Sequence, residues 1–384
     1  MKVCIVTGTR AEYGLFYWLL KAFEADPFFE LQLVVTGMHL STEFGSTYQE
    51  IEQDGFVIHD KVEVLLSGDT PTAITKSTAL ALIGLADSFQ RLQPDLVLLL
   101  GDRFEALGAA QAALFANIPI VHLHGGEVTL GAMDESIRHA ISKMAHIHFP
   151  ATDTYRRRLI QMGESPEYVH NVGALGVESL NKTRLMSRPA LMESLSFDLG
   201  EQFFLVTYHP VTRDLNEQQD GMTSLLNALE RFPEIKVLIT FPNADTYGRQ
   251  LITQVQVYAK QNAGRVYLTE SLGRVRYLSA LRQCCCVIGN SSSGIIEAPS
   301  FNVATVDIGS RQQGRVKADS VIQCEPNQVD IEKAIQKAMQ MKTSGELSTV
   351  KNPYNGGNTS EKIVSVLKRM PLSDFKKKHF YDLP

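Results

Sequence analysis

LLLGDRFEAL, residues 98–107, carries three leucines into Gly101 and then presents Asp102, Arg103 and Glu105 in quick succession. An apolar strand that delivers acid, base and acid at its tip, with a helical pattern behind it, is a strand–turn–helix unit with chemistry at the turn. The chain repeats that unit. KVCIV, LQLVVTG, PDLVLLLGD, IPIVHLHGG and HIHFPAT read as buried strands in the first half, and FFLVTYHP, KVLITFPN, RVYLTES, CCVIGNSSS and VATVDIG in the second. Helical spacing fills the intervals over 11–25, 73–92, 103–116, 134–145, 217–230 and 246–261. Near-continuous apolar strands alternating with helices predict parallel sheets covered on both faces. The fold class is therefore α/β, with two Rossmann-like, doubly wound domains.

A polar connection near 174–202, containing Pro189, separates the two series. The expected division is a first domain over 1–180, a second over 181–370 and a tail over 371–384. Each domain is about the size of one doubly wound sheet. NPYNGGN, residues 352–358, is a loop signal before a last helix pattern near 359–369. Sequence alone leaves open whether that helix crosses back to the first domain.

Composition narrows the function. The 384 residues are 44% hydrophobic with a net charge of −5, which argues against a nucleic-acid partner. The one basic run, FKKKHF at 375–380, reads as a solvated helix end. No stretch approaches the ~20 apolar residues of a membrane span, and the N-terminus lacks a signal-peptide pattern, so no membrane partner is expected. The five cysteines, Cys4, Cys284, Cys285, Cys286 and Cys324, show no zinc spacing and read as small apolar residues. A reducing compartment, the cytoplasm, is expected.

In open parallel sheets, ligands bind beyond the carboxyl ends of the strands. Those ends read TGTRAEYG, TGMHLS, GDRFEA, HLHGGE, TYHP, FPNAD and GNSSSG. Two domains whose polar tips face each other predict an interdomain cleft. In GNSSSGIIEA, 289–298, Ser291, Ser292 and Ser293 supply hydroxyl donors at the start of a helix pattern. Helix-start N–H groups carry partial positive charge, so this loop suits a diphosphate, although a serine N-cap alone is the plainer reading. Glu297 is placed either to accept from ribose hydroxyls or on a helix surface. Arg10 begins a helix, where a cation is unfavourable to the dipole, so it serves an anion. His209, after a buried strand, is either structural or a phosphate donor. Arg311 and Arg315, in GSRQQGR, are phosphate ligands or surface groups.

The first half carries the acids. Asp102, Glu127 and Asp134 or Glu135 fall on neighbouring strand ends or helix starts, with His122, His124, Arg138 and His139 among them. Asp134 and Arg138, four apart, share a helix face and pair, or Asp134 caps that helix. Carboxylates converging with histidines suit general acid–base chemistry. A metal site competes, but no histidine pair has metalloprotease spacing, and a metal-free site is favoured. Glu105 is expected on the following helix as ordinary surface.

GTRAEYG, GDRFEAL, HLHGGE, DESIRHAISKMAH, HPVT, GNSSSGIIEAP and GSRQQGR together resemble the hydrolysing UDP-N-acetylglucosamine 2-epimerases, from residue 1 to about 370. The resemblance implies a GT-B-type fold and hydrolysis of UDP-N-acetylglucosamine to UDP and N-acetylmannosamine, for sialic acid synthesis. It implies elimination to a 2-acetamidoglucal followed by hydration, with no cofactor. It assigns UDP to Arg10, His209, Asn243, Ser291, Ser292, Glu297 and Arg311. The uracil edge falls to backbone near Leu272. Asp102, Glu127 and Asp134 surround the sugar, with Arg103 nearby. Some family members carry Glu at the third position of HLHGGE, where this chain has His124. That role passes to His124 or Glu127. A subgroup acting on UDP-N,N'-diacetylbacillosamine shares nearly all these motifs, so the sugar stays open, and a homodimer or tetramer is implied. The rivals are a non-hydrolysing 2-epimerase, a GT-B glycosyltransferase and a nucleotide-sugar sensor.

Overall fold

The computed structural model describes residues 1–66, 68, 70–129, 133–210, 215–242, 248–371 and 378–383, the side chains of 215–220 and 248–249 excepted. Among them no helix is long and apolar enough to cross a membrane.

Two six-stranded sheets organise the chain. The first contains β1 (Lys2–Thr7), β2 (Glu30–Thr36), β3 (Asp60–Val62), β4 (Leu96–Leu100), β5 (Ile120–Leu123) and β6 (Ile147–Phe149), in the order β3-β2-β1-β4-β5-β6. The second contains β7 (Phe203–Thr207), β8 (Lys236–Thr240), β9 (Val266–Thr269), β10 (Cys286–Gly289), β11 (Ala304–Ile308) and β12 (Val321–Cys324), in the order β12-β11-β10-β7-β8-β9. Every pairing is parallel. Read from their own first strands, both orders are 3-2-1-4-5-6, the Rossmann arrangement. The strand order reverses beside β1 and β4, and again beside β7 and β10, so those tips are where a ligand is expected.

Alternation explains why both faces are covered. Ile5, Leu98 and Val121 bury against Phe16, Leu19 and Phe23 on one face of the first sheet. Cys4, Val97 and Leu99 bury against Leu85, Ala109 and Ala113 on the other. Each such large side chain contributes roughly 1.5–3 kcal/mol by leaving water. Phe204, Val237, Ile288 and Val306 centre the second core. Cys284, Cys285 and Cys286 are free, buried thiols at the base of β10. Burial pushes the Cys284 thiol up to about 12, which keeps it protonated and unreactive.

The chain forms two compact units, Met1–Glu127 with Asp134–Asn181 and Tyr354–Pro384, and Val128–Met133 with Lys182–Pro353. The expected second domain, 181–370, therefore overruns: residues from Tyr354 on belong with the first unit. The cause is the apolar face of the last helix, Thr359–Arg369. Its Ile363, Val364 and Leu367 join the cluster of Phe16 and Phe23. At its start Thr359 Oγ1 donates to the Val172 carbonyl (3.0 Å), and the Ser360 N–H donates to Glu178 (2.8 Å). The tail also departs from expectation. Residues 378–383 are not helical, and the Lys378 ammonium is paired with Glu164 at 2.7 Å rather than solvated.

Candidate active site

In the first unit, strand register brings three tips level. Leu100 pairs with Leu123, and Leu123 with Phe149, so β4, β5 and β6 end together. Beyond β5, His124 adopts φ +60°, a left-handed conformation that is rare for a residue with a Cβ. Its N–H donates to the Phe149 carbonyl (3.1 Å), which anchors the turn. Its Nδ1 lies 2.7 Å from Glu127 Oε1. Its Nε2 is buried and meets no partner among the described residues. A carboxylate therefore fixes one face of the imidazole and leaves the opposite nitrogen available.

Arg138 gathers the acids. It lies on the helix Asp134–Met144 and is only 1% exposed. Its guanidinium donates to the Asp102 carboxylate, to the Glu127 carbonyl (3.1 Å) and to Glu135 (3.1 Å). A buried guanidinium is costly unless its donors are met, and here two carboxylates and a carbonyl meet them. Asp102 keeps 23% of its side-chain surface, so it is held on one side and open on the other. Glu135 also accepts from His139 (3.1 Å). Asp134 stands at the first position of that helix, where an acid suits the dipole.

Beneath this group His122 is fully buried, with Nε2 2.7 Å from the Gly101 carbonyl and Nδ1 3.0 Å from Ser142 Oγ. Burial pushes its pKa down to about 3, so it is neutral and holds the β4 tip in place. It is a strut and not an acid.

A second set surrounds the tips of β1 and β2. Glu105, expected as surface, is 2% exposed and accepts two hydrogen bonds from Arg103, both 3.1 Å. Its carboxyl lies against the backbone of Gly8 and Gly37. The parallel order places those loops over the start of the helix Phe104–Phe115, which is why the acid is inside. Glu12 accepts from the Gly8 N–H (2.7 Å) and from Thr7 (3.2 Å), and burial pushes its pKa up to about 7. His39, held by Thr7 (3.2 Å) and Thr47 (2.8 Å), is pushed down to about 3 by burial. Arg10, expected to serve an anion, is ion-paired with Glu50. An incoming anion would share that guanidinium with the carboxylate.

In the second unit the tips combine amides and hydroxyls with His209, Glu297 and Arg311. Gly289 ends β10 at φ +137°, and a Cβ there would lie 2.0 Å from the Thr207 carbonyl. Only glycine lets the two tips close up. The next residue, Asn290, is fully buried and clamps His209: Oδ1 accepts the His209 N–H (2.6 Å) and Nδ2 donates to its carbonyl (2.9 Å). The Asn290 carbonyl accepts from Arg311 (3.0 Å) and Gln312 (2.8 Å). One residue thus binds the tips of β7, β10 and β11 together. Ser291 caps the short helix Ser292–Ile296, its Oγ accepting from the Ser293 N–H (3.4 Å). Glu297 follows at the helix end and is 7% exposed. Leu272 precedes the helix Gly273–Gln283, and its carbonyl accepts from Arg276 (2.9 Å).

The expected residues therefore fall into two groups. Asp102, His124, Glu127 and Asp134 gather in the first unit, with Arg10 and Arg103 at its neighbouring tips. His209, Ser291, Ser292, Ser293, Glu297 and Arg311 gather in the second, and Leu272 begins a further helix there. Asn243 lies outside the described residues. Sequence reasoning missed Glu12, His39, Glu105 and Asn290. Only Asn290 had a local signal, an amide placed directly after the glycine that ends a buried strand.

The family model described as UDP-N-acetylglucosamine 2-epimerase matches residues 21–368. The chain is 39% identical over 383 residues to the Campylobacter jejuni protein named GDP/UDP-N,N'-diacetylbacillosamine 2-epimerase (hydrolyzing), covering 100% of this chain and 99% of that one. It is 37% identical over 385 residues to polysialic acid biosynthesis protein P7 of Escherichia coli, covering 100% and 98%. The crystal structure of UDP-GlcNAc 2-epimerase from Neisseria meningitidis, bound to UDP-GlcNAc, superposes with a TM-score of 0.79 at 19% identity, over 96% of this chain and 100% of that one. That likeness shows the fold, the GT-B type built from two Rossmann-like units. With the matched span and the full-length relatives, this chain belongs to the hydrolysing UDP-N-acetylglucosamine 2-epimerase family.

Proposed function

We propose that the sugar nucleotide used by this hydrolysing UDP-sugar 2-epimerase is UDP-N-acetylglucosamine, released as UDP and N-acetylmannosamine. The observation that carries the epimerising chemistry is the His124–Glu127 pair, with one imidazole nitrogen fixed and the other buried without a partner among the described residues. The C1–O bond breaks first and its electron pair leaves with UDP. Positive charge then grows on the ring and acidifies the C2 proton. The open side of Asp102 stabilises that cation. His124 Nε2 takes the C2 proton, leaving a C1=C2 double bond, and Glu127 holds the imidazole in orientation. Water then adds its oxygen to C1, its spare proton passing to solvent. Asp134, protonated from solvent beforehand, delivers that proton to C2 from the opposite face as the oxygen adds, which inverts that centre, and His124 gives its own proton up to solvent. Proton transfers of this kind contribute about 10²–10⁴-fold each.

Ser291, Ser292, Ser293, His209 and Arg311 hold the diphosphate, Glu297 the ribose and backbone near Leu272 the uracil. Donors placed where charge develops on the leaving group lower the barrier by a few kcal/mol each, about 3–4 for one oxyanion-hole donor. The relative named for polysialic acid synthesis supports the acetylglucosamine substrate. A second reading, UDP-N,N'-diacetylbacillosamine, is favoured by the Campylobacter jejuni relative. The two sugars share the 2-acetamido group and the leaving group, so the residue roles are unchanged.

The test is incubation with each UDP-sugar in D2O with EDTA, followed by proton NMR. Free UDP with N-acetylmannosamine deuterated at C2 supports the first reading. Turnover of the bacillosamine sugar alone, or of its GDP form, moves the substrate and keeps the mechanism. UDP-N-acetylmannosamine without free UDP makes the enzyme non-hydrolysing. Binding of both sugars with no turnover makes it a sensor and removes the catalytic roles.

A further inference from the structure

Helix Asp134–Met144 carries Arg138 at its middle and ends against the chain terminus. At that end Lys378 Nζ donates to the carbonyls of Ser142 (3.2 Å), Lys143 (2.8 Å) and Ala145, and pairs with Glu164 Oε2 (2.7 Å). The backbone of Lys378 is exposed, yet its side chain keeps only 23% of its surface. The last carbonyls of a helix have no partner within the helix and carry partial negative charge, so an ammonium there satisfies both needs. Glu164 is 2% exposed and also accepts from His148 (2.8 Å) and Lys143 (2.6 Å). Burial alone would raise its pKa, but the hydrogen bonds from His148 and from the Lys143 and Lys378 ammonium groups hold it down to about 2.

The terminus has its own anchor. The Tyr381 N–H donates to the Gly163 carbonyl (2.9 Å). Phe380 lies over Gly163, where a Cβ would come within 2.3 Å of the ring. Lys143 Nζ stands 4.9 Å from the centre of the same ring. Lys378 is 236 residues from Ser142 in sequence, so this contact closes over much of the chain.

The other end of the path reaches the sugar-side acids. Arg138 and Ser142, four apart, project from one face of the helix. Arg138 holds Asp102 and the Glu127 carbonyl, and Ser142 holds His122, which holds the Gly101 carbonyl. An α-helix rises 1.5 Å per residue, so a slip of a fraction of one residue along its axis would pull Arg138 off Asp102. We infer that Lys378 is a positioning residue: it fixes the axial placement of helix Asp134–Met144 against Glu164, and through Arg138 it sets the Asp102 carboxylate for catalysis. The inference rests on the reading that Asp102 works on the sugar.

The test uses the full chain with Lys378→Met, Lys378→Arg and Phe380→Ala. In Lys378→Met, hydrogen exchange of the amides at 138–144 should speed up about tenfold without substrate, while those of β10 and the serine loop stay as they were. kcat should fall about tenfold with KM and UDP affinity unchanged, in keeping with misplacements near 1 Å that cost up to 10²-fold. Lys378→Arg should recover most of the loss. Phe380→Ala, which frees the terminus without removing the charge and leaves the core alone, should give a smaller loss of the same kind. Unchanged exchange at 138–144 overturns the tether. Faster exchange with kcat within twofold overturns the link to Asp102, as does a rise in KM with kcat preserved. If the wild-type protein turns over no UDP-sugar, the functional reading has failed, and the exchange measurement still decides the tether.

Discussion

The two sheets have the same strand order and put polar groups at the same tips, but the tips differ in chemical kind. Around β1, β4 and β5 stand Glu12, His39, Asp102, Arg103, Glu105, His122, His124, Glu127 and Arg138, most of them buried. Around β7 and β10 stand Thr207, Thr240, Asn290 and three serines, with Thr207 Oγ1 2.6 Å from Thr240 Oγ1, and the ionisable groups among them are fewer, His209, Glu297 and Arg311. Topology decides where polar groups emerge, and residue type decides what they can do there. Moving protons near neutral pH requires ionisable groups whose surroundings tune their pKa values, and burial in the first unit raises that of Glu12 to about 7. Holding a diphosphate requires hydrogen-bond donors and positive charge, which hydroxyls, backbone N–H groups at helix starts and guanidinium groups supply.

The largest effect tests the acidic side. Asp102→Asn should lower kcat by about a thousandfold, because it removes the charge opposite the growing cation while keeping the shape. UDP affinity, measured by calorimetry, should stay within about threefold. Next, His124→Gln should cost about a hundredfold in kcat, the range of one lost proton-transfer group, and should slow deuterium entry at C2 to the same degree. Glu127→Gln should produce a smaller loss and shift the pH profile, because it alters only the orienting partner.

In the second unit, Asn290→Ala should do the reverse. It leaves the His209 N–H and carbonyl without their amide partners, a loss of about 1–3 kcal/mol that denaturant midpoints would register. UDP affinity should fall about tenfold, the equivalent of about 1.4 kcal/mol. Turnover of the complex, measured at saturating substrate, should change less than affinity does.

The smallest effect concerns acid. Burial holds His39 and His122 near 3 and His146 near 4, and all three lie in the first unit. Between those values and the ordinary 6.5, the unfolded chain binds three protons that the folded histidines refuse, against one that the folded Glu12 takes up below about 7, so stability falls as pH drops below about 6.5. Each group contributes at most about 1.4 kcal/mol per pH unit. Amide exchange at pH 5.5 should therefore rise in β1, β4 and β5 before it rises in β7 and β10, and His122→Asn should narrow the difference.

Much of this contrast was legible in the sequence because buried parallel strands announce themselves as apolar runs and the residues after them are the tips. Two strands carried no such signal. β3 is three residues long, and β12 pairs along one side only with no fully buried residue, so neither leaves an apolar run to read. The site was legible as composition but not as pairing. Arg138 reaches Asp102 across 36 residues and Lys378 reaches Ser142 across 236, and no local spacing encodes such contacts. Glu105 was misread for the same reason, since the loops that bury it come from β1 and β2. Asn290 stood in plain view beside three serines, but its role as a clamp depends on the His209 backbone, 81 residues away.

The most direct measurement of the division between the units is UDP binding to the double variant Asp102→Asn, His124→Gln by titration calorimetry. The account expects an affinity within about threefold of wild type in a protein that no longer releases UDP from its substrate. A loss of UDP affinity that parallels the loss of turnover would contradict it, because the acids would then be holding the nucleotide as well as working on the sugar.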